Sequence, residues 1–457
     1  MDIKKLYQLY TEHPCITTDS RDCPEGSIFI AMKGESFDGN QFAAAALEKG
    51  CAYAVVDSEQ AAADKAKYGE RLIRVDDCLA TFKALAREHR RQFDIPVIGI
   101  TGTNGKTTTK ELVAAVLGRK YNVLYTQGNY NNDIGVPKTL FRLTSEHEIA
   151  VIEMGASHPG DIKTLAETAE PTCGLITNVG RAHLQGFGSF EGVVKTKCEL
   201  YDFLRTRQDG LIFLNADNEH LVDQIGDEEE TLWVAPYSTD PDKQYSCISG
   251  EVMLPEEGTA GETPCLKLRW REPLMTLEEE GRSTKWHKVQ TQLIGDYNID
   301  NVLAAIAVGI NFGVGRKDIC AALENYVPTN NRSQLTVTGK NRLIVDAYNA
   351  NPSSMLAALE NFHTMRVGRK MAILGDMREL GEASAEEHQR IVDYLQTSSI
   401  EEVWLVGEEF AKTHTGFRKF HDIEAVKAEI ATNSPTDRFI LIKGSNGIRL
   451  YQLPEWL

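Results

Sequence analysis

Residues 102–107 carry the residue types that hold phosphate groups. They read Gly-Thr-Asn-Gly-Lys-Thr, follow an apolar run from Pro96 to Ile100 that predicts a buried strand, and precede a helical pattern from Thr108. Small residues let the loop N–H groups point at an anion, the helix N-terminus favours negative charge, and Lys106 adds a positive charge. Because Ile100 stands where the general phosphate-loop pattern has its first glycine, this loop is a shorter variant. An ordinary turn before a helix is the alternative interpretation.

Several other side chains could complete a metal-dependent phosphate site. The Thr107 hydroxyl is placed to reach a phosphate-bound Mg²⁺, and Glu153 ends a second apolar, strand-like run beside glycines. Mg²⁺ prefers hard oxygen ligands, whereas His183, which follows a third predicted strand, would bind through its neutral imidazole. Lys195 and Lys197 lie in a predicted helix after His183. For these two lysines, a solvated pair is the alternative interpretation.

The composition narrows the class of protein. The 457 residues are enough for two to four domains, and 42% of them are hydrophobic. With 49 Lys and Arg against 66 Asp and Glu, the net charge is −17, which disfavours nucleic-acid binding. The nine cysteines include no Cys-x-x-Cys pair, which favours reduced thiols over disulfides or zinc. The reduced thiols predict a cytoplasmic protein, and the acidic charge predicts no nucleic-acid partner. Neither a signal peptide nor an apolar run long enough for membrane insertion is evident.

Three α/β domains are predicted to position these side chains. Residues 1–92 form the first, with short strand-like runs, an alanine-rich helix and an amphipathic helix. Residues 93–313 alternate strand and helix patterns, which predicts a mostly parallel sheet covered by helices. Ligands gather at the carboxyl ends of the strands in such sheets. The phosphate loop, Glu153 and His183 all fall at predicted strand ends, so we expect one site there.

The second and third domains meet after a strongly helical stretch. Residues 296–312 predict a helix on which Asn298 and Asn301 share one face, although Asn298 could simply cap the helix. Residues 240–292 are expected to be a β-rich excursion of the central domain. Residues 314–457 again alternate strands and helices in a Rossmann-type layer. They lack a Gly-x-Gly-x-x-Gly turn, so a nicotinamide site has no support.

These residues resemble the Mur ligases of bacterial cell-wall synthesis, and the resemblance runs through all three predicted domains. The short loop Gly-Thr-Asn-Gly-Lys-Thr is characteristic of these ATP-dependent amide ligases. Three further stretches together resemble the members that add D-alanyl-D-alanine. They are TDSR with PEGSIFIAMKGESFDGNQF in residues 18–42, GNYNNDIGVP in residues 128–137, and DAYNANPSSM with LGDMRELG in residues 346–381.

The resemblance implies both a fold and a reaction. The fold has a small α/β UDP-binding N-terminal domain, a central P-loop ATPase-like domain with a parallel sheet, and a Rossmann-like C-terminal ligase domain. In the reaction, ATP phosphorylates a carboxylate of UDP-N-acetylmuramoyl-tripeptide, and the amine of D-alanyl-D-alanine attacks the acyl phosphate to give an amide, ADP and phosphate. Phosphorylation is needed because a carboxylate is a poor electrophile. We expect the protein to be a monomer.

The resemblance also implies roles for single residues. It implies that ATP is bound by Gly102, Thr103, Asn104, Gly105, Lys106, Thr107, Thr108, Asn298, Asn301, Arg332 and Asp346. It implies that Mg²⁺ is bound by Thr107, Glu153, His183 and Lys197, and that the catalytic residues are Lys106, Glu153, His183 and Lys197. The UDP substrate would contact Ser20, Arg21, Asn129 and Asn132. The dipeptide side would be shaped by Tyr348, Asn349 and Asn351, and Lys443 is a further basic candidate near the cleft.

A carbamylated lysine is part of what the resemblance implies. In several family members a lysine at this place reacts with carbon dioxide, and the resulting carbamate binds Mg²⁺. The spacing after His183 points to Lys197 and not to Lys195. A carbamate turns a cation into an anionic oxygen ligand, and only a lysine that its surroundings keep deprotonated can form it.

A closing motion is also expected. The C-terminal domain would move to bring Arg332 and Asp346 to the nucleotide, with Gly313 and Gly315 near the hinge.

Three alternative functions remain open. A Mur ligase that adds one diamino acid would share the nucleotide site, although the Asp-Asn-Pro-Arg motif of the diaminopimelate-adding members is absent. A folylpolyglutamate synthase would share the loop chemistry but not the UDP-binding domain. A nucleotide-dependent switch or scaffold would bind nucleotide without ligase chemistry, and would leave Glu153, His183 and Lys197 without a purpose.

Overall fold

Among the residues that the structure describes, three β-sheets of four, nine and six strands form successive α/β layers. The computed structural model describes residues 2–34, 36–62, 65–182, 184–226, 232–243, 246–254, 264–272, 285–328 and 334–457. The predicted α/β class is confirmed. Within the described residues, no helix has the length and apolar character needed to cross a bilayer.

The N-terminal sheet is parallel throughout, and its spatial order follows the chain. Its strands are β1 (Ile16–Thr17), β2 (Ile28–Ile30), β3 (Tyr53–Val56) and β4 (Leu72–Arg74). Its helices are α1 (Ile3–Glu12), α2 (Ala43–Glu48), α3 (Glu59–Ala62), α4 (Lys65–Tyr68) and α5 (Cys78–Arg90), with 3₁₀ turns at Gly39–Phe42 and Gly69–Arg71. At the end of α5, the buried Arg90 guanidinium donates hydrogen bonds to the carbonyls of Phe93, Ile95 and Ala169. These bonds fix the junction with the central domain.

The central sheet contains nine strands. They are β5 (Val97–Thr101), β6 (Val123–Tyr125), β7 (Ile149–Glu153), β8 (Cys173–Ile176), β9 (Leu211–Asn215), β10 (Trp233–Ser238), β11 (Ile248–Val252), β12 (Cys265–Arg271) and β13 (His287–Ile294). The spatial order is β13-β12-β11-β10-β9-β8-β5-β7-β6, and only the pairs made by β12 are antiparallel. The β-rich excursion therefore extends the same sheet, as expected.

Helices cover both faces of this sheet. They are α6 (Lys106–Leu117), α7 (Gly135–Leu140), α8 (Asp161–Ala169), α9 (Leu184–Phe187), α10 (Phe190–Arg205), α11 (Glu219–Ile225), α12 (Ile299–Asn311) and α13 (Arg316–Asn325), with a 3₁₀ turn at Asp296–Asn298. Side chains alternate along a strand, so Ile98 and Ile100 pack against α6 and α12, whereas Val97 packs with α8 and α10. Each face of β5 thus contributes to a different core.

The structure places α13 in the central core, whereas the C-terminal domain was expected to begin at residue 314. Its buried residues Ile319 and Leu323 lie in the central core, with α6 and α12. The turn between α12 and α13 is also fixed, because Lys120 donates hydrogen bonds to the Phe312 and Gly313 carbonyls and Val314 is buried. Gly313 and Gly315 therefore lie inside one packed unit. They lie before the point where the chain passes to the C-terminal domain, because Tyr326 still packs against the central core.

The C-terminal sheet has six strands in the order β14-β15-β19-β16-β17-β18, with only β14 antiparallel. The strands are β14 (Gln334–Val337), β15 (Arg342–Asp346), β16 (Lys370–Gly375), β17 (Glu402–Val406), β18 (Arg418–Phe420) and β19 (Phe439–Lys443). The helices are α14 (Pro352–Thr364), α15 (Ser384–Thr397), α16 (Glu408–Ala411) and α17 (Ile423–Thr432), with 3₁₀ turns at Gly381–Ala383, Asn446–Ile448 and Leu450–Glu455. This alternation is the Rossmann-type layer that the sequence predicts.

Candidate active site

A cavity of 790 Å³ lies between the central and C-terminal domains. The carboxyl ends of β5, β7 and β8 reach it from one side, and those of β15 and β19 reach it from the other, together with the start of α14. Most of the residues singled out in the sequence line it: Thr103, Asn104, Gly105, Lys106, Thr107, Thr108, Asn132, Glu153, Asn298, Asn301, Asp346, Tyr348, Asn349, Asn351 and Lys443. Two sheets thus present their ligand-binding edges to one space.

Two glycines give the loop between β5 and α6 its shape. Gly102 and Gly105 have backbone φ values of 143° and 80°, which residues with a side chain rarely adopt. A Cβ atom on Gly102 would collide with the Thr177 hydroxyl, and one on Gly105 would collide with the Asn301 side-chain amide. The loop is therefore held close against its neighbours. Lys106, the first residue of α6, folds back so that its Nζ donates to the carbonyls of Gly102 and Thr103 at 2.7 and 3.0 Å.

Glu153 is the most deeply buried carboxylate of the site. It is 0% exposed, and its Oε1 accepts hydrogen bonds from the Thr107 hydroxyl at 3.1 Å and from Asn131 Nδ2 at 2.8 Å. The Thr126 hydroxyl accepts the Glu153 N–H at 3.0 Å, which anchors the end of β7. Oε2 has no hydrogen-bond partner among the described residues. A buried, unpaired carboxylate oxygen beside a hydroxyl oxygen fits the oxygen ligands that Mg²⁺ prefers.

Lys197 is an amine held inside the central domain. It lies on α10, is 2% exposed, and its Nζ is 5.3 Å from the centre of the Phe187 ring. Burial, together with the nearby charge of Lys106, holds the pKa of the Lys197 amine well below its usual range. A lowered pKa favours the neutral amine that carbamate formation requires. Lys195, on the same helix, is exposed and fits the solvated interpretation.

Asn298 and Asn301 belong to a chain of hydrogen bonds behind the loop 102–107. Thr109 on α6 donates its hydroxyl to Asn301 Oδ1 at 3.0 Å, Asn301 Nδ2 donates to Asn298 Oδ1 at 2.9 Å, and Asn298 Nδ2 donates to the Ile294 carbonyl at 2.8 Å. The Asn298 side chain makes no capping bond to α12. The chain therefore ties the start of α12 to the helix that follows the loop, which is a different role from a simple cap.

The C-terminal wall of the cavity centres on a buried ion pair. Lys443 is 2% exposed and its Nζ lies 2.5 Å from Asp346 Oδ2 and 3.5 Å from the Asn349 carbonyl. Because β15 and β19 are neighbouring parallel strands, Asp346 and Lys443 end them in register. The pair fixes the turn that carries Tyr348 and Asn349 into the cavity.

The residues expected to hold the UDP substrate lie outside this cavity, except for Asn132. Ser20 and Arg21 lie in the N-terminal domain, where the Arg21 guanidinium pairs with Asp19 at 2.7 Å and holds the pKa of that carboxyl well below its usual range. Asn132 accepts hydrogen bonds from the N–H groups of Ile134 and Gly135 at the start of α7. Asn129 belongs to the turn before it.

Two predicted residues lie outside the described part of the chain, namely His183 and Arg332. Two further residues of the site, Asn131 and Ser353, are not among those predicted from the sequence. Asn131, between the predicted Asn129 and Asn132, is the one that contacts Glu153, and nothing in a run of polar turn residues singles it out. Ser353 lines the cavity from the first turn of α14. The Asn-Pro-Ser-Ser run is a helix-start signal that could have indicated it.

Comparison with known proteins yields one family. Three of its domain models match the chain: "Mur ligase family, catalytic domain" at residues 14–90, "Mur ligase middle domain" at residues 100–309, and "Mur ligase, glutamate ligase domain" at residues 331–446. Together these matches span all three sheets.

Two curated relatives carry the name UDP-N-acetylmuramoyl-tripeptide--D-alanyl-D-alanine ligase. The chain is 32% identical over 449 residues to that of Bacillus subtilis (strain 168), which covers 96% of this chain and 92% of the relative. It is 35% identical over 399 residues to that of Escherichia coli (strain K12), which covers 86% of this chain and 81% of the relative.

Solved structures agree with these matches. MurF from Acinetobacter baumannii superposes with a TM-score of 0.82 at 27% identity, covering 98% of this chain and 96% of that one. MurF ligase from Thermotoga maritima, solved in complex with ADP, shares the fold with a TM-score of 0.81 at 24% identity, covering 97% and 96%.

Proposed function

The chain belongs to the Mur ligase family, and we propose that it is the ATP-dependent ligase that joins D-alanyl-D-alanine to UDP-N-acetylmuramoyl-tripeptide in peptidoglycan precursor synthesis. The observation that carries the proposal is the single cavity that the nucleotide loop shares with the C-terminal domain. Ligases of that name match the chain over almost its whole length, so the same geometry serves the same reaction.

The first step transfers the γ-phosphoryl group to a carboxylate. An oxygen of the tripeptide carboxylate forms a bond to the γ-phosphorus, the bond to the bridging oxygen breaks, and ADP leaves. Lys106 and the N–H groups at the start of α6 stabilise the phosphate charge as it moves. Asn298 and Asn301 support the loop from behind, and Asp346 contacts the ribose.

Mg²⁺ would be held by Thr107 and Glu153, whose free oxygen and neighbouring hydroxyl fit it. Lys197, as a carbamate, and His183 would hold a second ion. When bound, Mg²⁺ neutralises phosphate charge during the transfer. The positive charge of Lys106 disfavours a protonated amine at Lys197 and would attract the negative charge of a carbamate there. Arg332 is proposed to contact phosphate.

The second step forms the amide. The amine of D-alanyl-D-alanine, after losing a proton, attacks the acyl carbon, and the bond to the phosphate oxygen breaks to release inorganic phosphate. Tyr348, Asn349 and Asn351 are proposed to shape the dipeptide side, and Lys443 holds their turn through Asp346. The UDP group is proposed to lie on the N-terminal domain, at Ser20 and Arg21, with Asn129 and Asn132 towards the centre.

We also propose that the protein works as a monomer in the cytoplasm. No disulfide joins the nine cysteines, all of which lie in the described residues. This supports a reducing compartment.

A phosphate-release assay tests the function. We expect ATP-dependent release of phosphate only when UDP-N-acetylmuramoyl-tripeptide and D-alanyl-D-alanine are both present, because each step consumes one of them. Replacing the dipeptide by diaminopimelate or lysine should abolish release. Release that needs no dipeptide, or that is supported by the single amino acid, would contradict the proposal.

Two variants control for a contaminating ATPase. Glu153→Gln removes a proposed Mg²⁺ ligand and should lower release by about 100-fold or more. Glu148→Gln changes an exposed carboxylate just before the same strand and should leave release unchanged.

A further inference from the structure

One side-chain hydrogen bond joins the C-terminal domain directly to the nucleotide loop. Asn351 Nδ2 donates to Asn104 Oδ1 at 2.8 Å. Asn104 is the third residue of the loop 102–107, and Asn351 immediately precedes α14, so the bond spans 247 residues of sequence. Both residues line the cavity. The bond therefore crosses the domain boundary at the edge of the proposed ATP site.

Asn351 is rigidly held on its own side. Its Oδ1 accepts the Ser354 N–H at 2.9 Å, and its main-chain N–H donates to the Ser354 hydroxyl at 3.1 Å, so the two residues form a capping box. The residue is 6% exposed. Since the cap uses the oxygen of the amide, only the NH₂ group is left to face Asn104. The helix start thus aims a hydrogen-bond donor at the loop.

Asn104 is equally held on its side, through its main chain. Its N–H donates to Asn178 Oδ1 at 3.0 Å, and its carbonyl accepts from the Thr177 hydroxyl at 2.5 Å and from Asn178 Nδ2 at 3.1 Å. These bonds attach the loop to the residues after β8. The side-chain oxygen is the part of Asn104 that reaches the other domain.

A second contact supports the first. The Arg181 N–H donates to the Ser353 hydroxyl at 3.2 Å, and Gly180 lies against the same side chain. Gly180 in turn exchanges hydrogen bonds with the Thr103 hydroxyl. The first turn of α14 therefore contacts the nucleotide loop directly at Asn104 and indirectly at Thr103.

We infer that Asn351 is a positioning residue for the nucleotide loop, and that its bond to Asn104 couples ATP binding to the seating of the C-terminal domain. The loop takes its binding conformation with the C-terminal domain in place, and nucleotide bound to the loop favours that same seating. Such coupling is reciprocal. The inference rests on the proposed function, since it assigns the loop to ATP. It gives Asn351 a role in addition to the proposed one on the dipeptide side.

The test is a double-mutant cycle on the full-length protein. Asn351→Ser keeps a good helix cap but cannot reach Asn104. Asn104→Ala removes the acceptor and keeps the main-chain bonds to Thr177 and Asn178. We expect each variant to weaken ADP binding, measured by calorimetry, and to raise KM for ATP by about five- to tenfold. KM for D-alanyl-D-alanine should be unchanged in Asn104→Ala, because Asn104 lies in the loop 102–107 and not on the dipeptide side.

The coupling is read from the double variant. If the two side chains act through one bond, Asn351→Ser combined with Asn104→Ala should bind ADP no more weakly than either single variant. Asn218→Ser is the matched control, because Asn218 caps α11 in the same manner, at 3.3 Å from the Leu221 N–H, and is not one of the residues that line the cavity. It should leave ADP binding and both KM values unchanged.

Three results would overturn the inference. One is a rise in KM for D-alanyl-D-alanine alone in Asn351→Ser, which would assign the residue to the dipeptide. Another is independent losses that multiply in the double variant. The third is unchanged ADP affinity in Asn104→Ala, which decides the matter even if Asn351→Ser does not fold. Because ADP binding needs no turnover, these results stay separate from a failure of the ligase assay.

Discussion

At the scale of single residues, the site contains polar side chains that are buried and that contact specific partners. Glu153 is completely buried and still keeps one oxygen unpaired among the described residues, while Thr107 and Asn131 hold the other. Lys197 is buried as an amine whose pKa is lowered. A buried carboxylate and a buried amine are both costly unless a ligand or a reaction compensates for them. The free energy that their burial costs is the physical argument that Glu153 and Lys197 serve the reaction.

Carbamylation of Lys197 can be tested by chemical rescue. Lys197→Ala should lower phosphate release by about 100-fold or more, because an anionic oxygen ligand is lost. A small carboxylic acid such as acetate, titrated into the assay, should restore part of the rate by occupying the space of the carbamate.

Lys195→Ala is the control for this experiment, since Lys195 is exposed on the same helix. It should retain the wild-type rate and show no response to acetate. Full activity in Lys197→Ala would contradict the role of Lys197.

At the scale of elements, the loop between β16 and α15 is held by a buried histidine. His388 on α15 is 0% exposed, accepts the Met377 N–H at Nε2 (3.0 Å), and has its Nδ1 at 2.7 Å from the Ser384 carbonyl. Only a neutral imidazole can accept at Nε2 while donating at Nδ1. Burial lowers the pKa of His388, although the Ser384 carbonyl and the carboxylates of Asp376 and Glu409 oppose the shift.

This histidine predicts a pH dependence of stability. Because the folded pKa lies below the unfolded value of about 6.5, the unfolded chain binds a proton that the folded chain does not. The free energy of unfolding should therefore fall as the pH drops from about 6.5 towards the folded pKa. His388→Gln offers an amide oxygen to Met377 without titrating, so its slope in this range should be shallower in urea unfolding.

His421→Gln is the comparison for this prediction. His421 has a side chain that is 78% exposed, next to Asp422. Replacing it should leave the slope close to that of the wild type. A slope that is equal in all three proteins would show that His388 does not contribute.

At the scale of the whole molecule, the cavity exists only because two domains meet. Asn351 contacts Asn104, and Ser353 contacts Arg181. The Arg181 Nη1 atom also lies 3.5 Å from Glu387 Oε1. These contacts are polar, as in many domain interfaces that open and close, and Ile294 of β13 adds a buried apolar contact to the C-terminal core. Along the chain, α13 packs in the central core and β14 belongs to the C-terminal sheet.

Small-angle scattering tests the movement. We expect a smaller radius of gyration when a non-hydrolysable ATP analogue and UDP-N-acetylmuramoyl-tripeptide are present together, because both domains line the cavity proposed for the nucleotide. Each ligand alone provides the control. An unchanged radius with both bound, at concentrations that calorimetry shows to be saturating, would contradict domain closure.

Much of this protein can be predicted from local sequence patterns. The strand before residue 102 and the helix after the loop follow from local sequence patterns, and β5 and α6 occur where the periodicity indicates. The helix from Pro352 likewise begins at its capping signal. The resemblance to Mur ligases rests on such local motifs, so the sequence alone carries it.

Only the tertiary structure decided which distant residues meet. Asn131 rather than its neighbours faces Glu153, α13 packs into the central core, and Asn351 reaches Asn104 across 247 residues. A polar turn has the same sequence signature whichever side chain points inward, and a helix shows an apolar face without showing which core receives it. Local order follows from short-range sterics and hydrogen bonds, whereas these contacts depend on how whole layers pack.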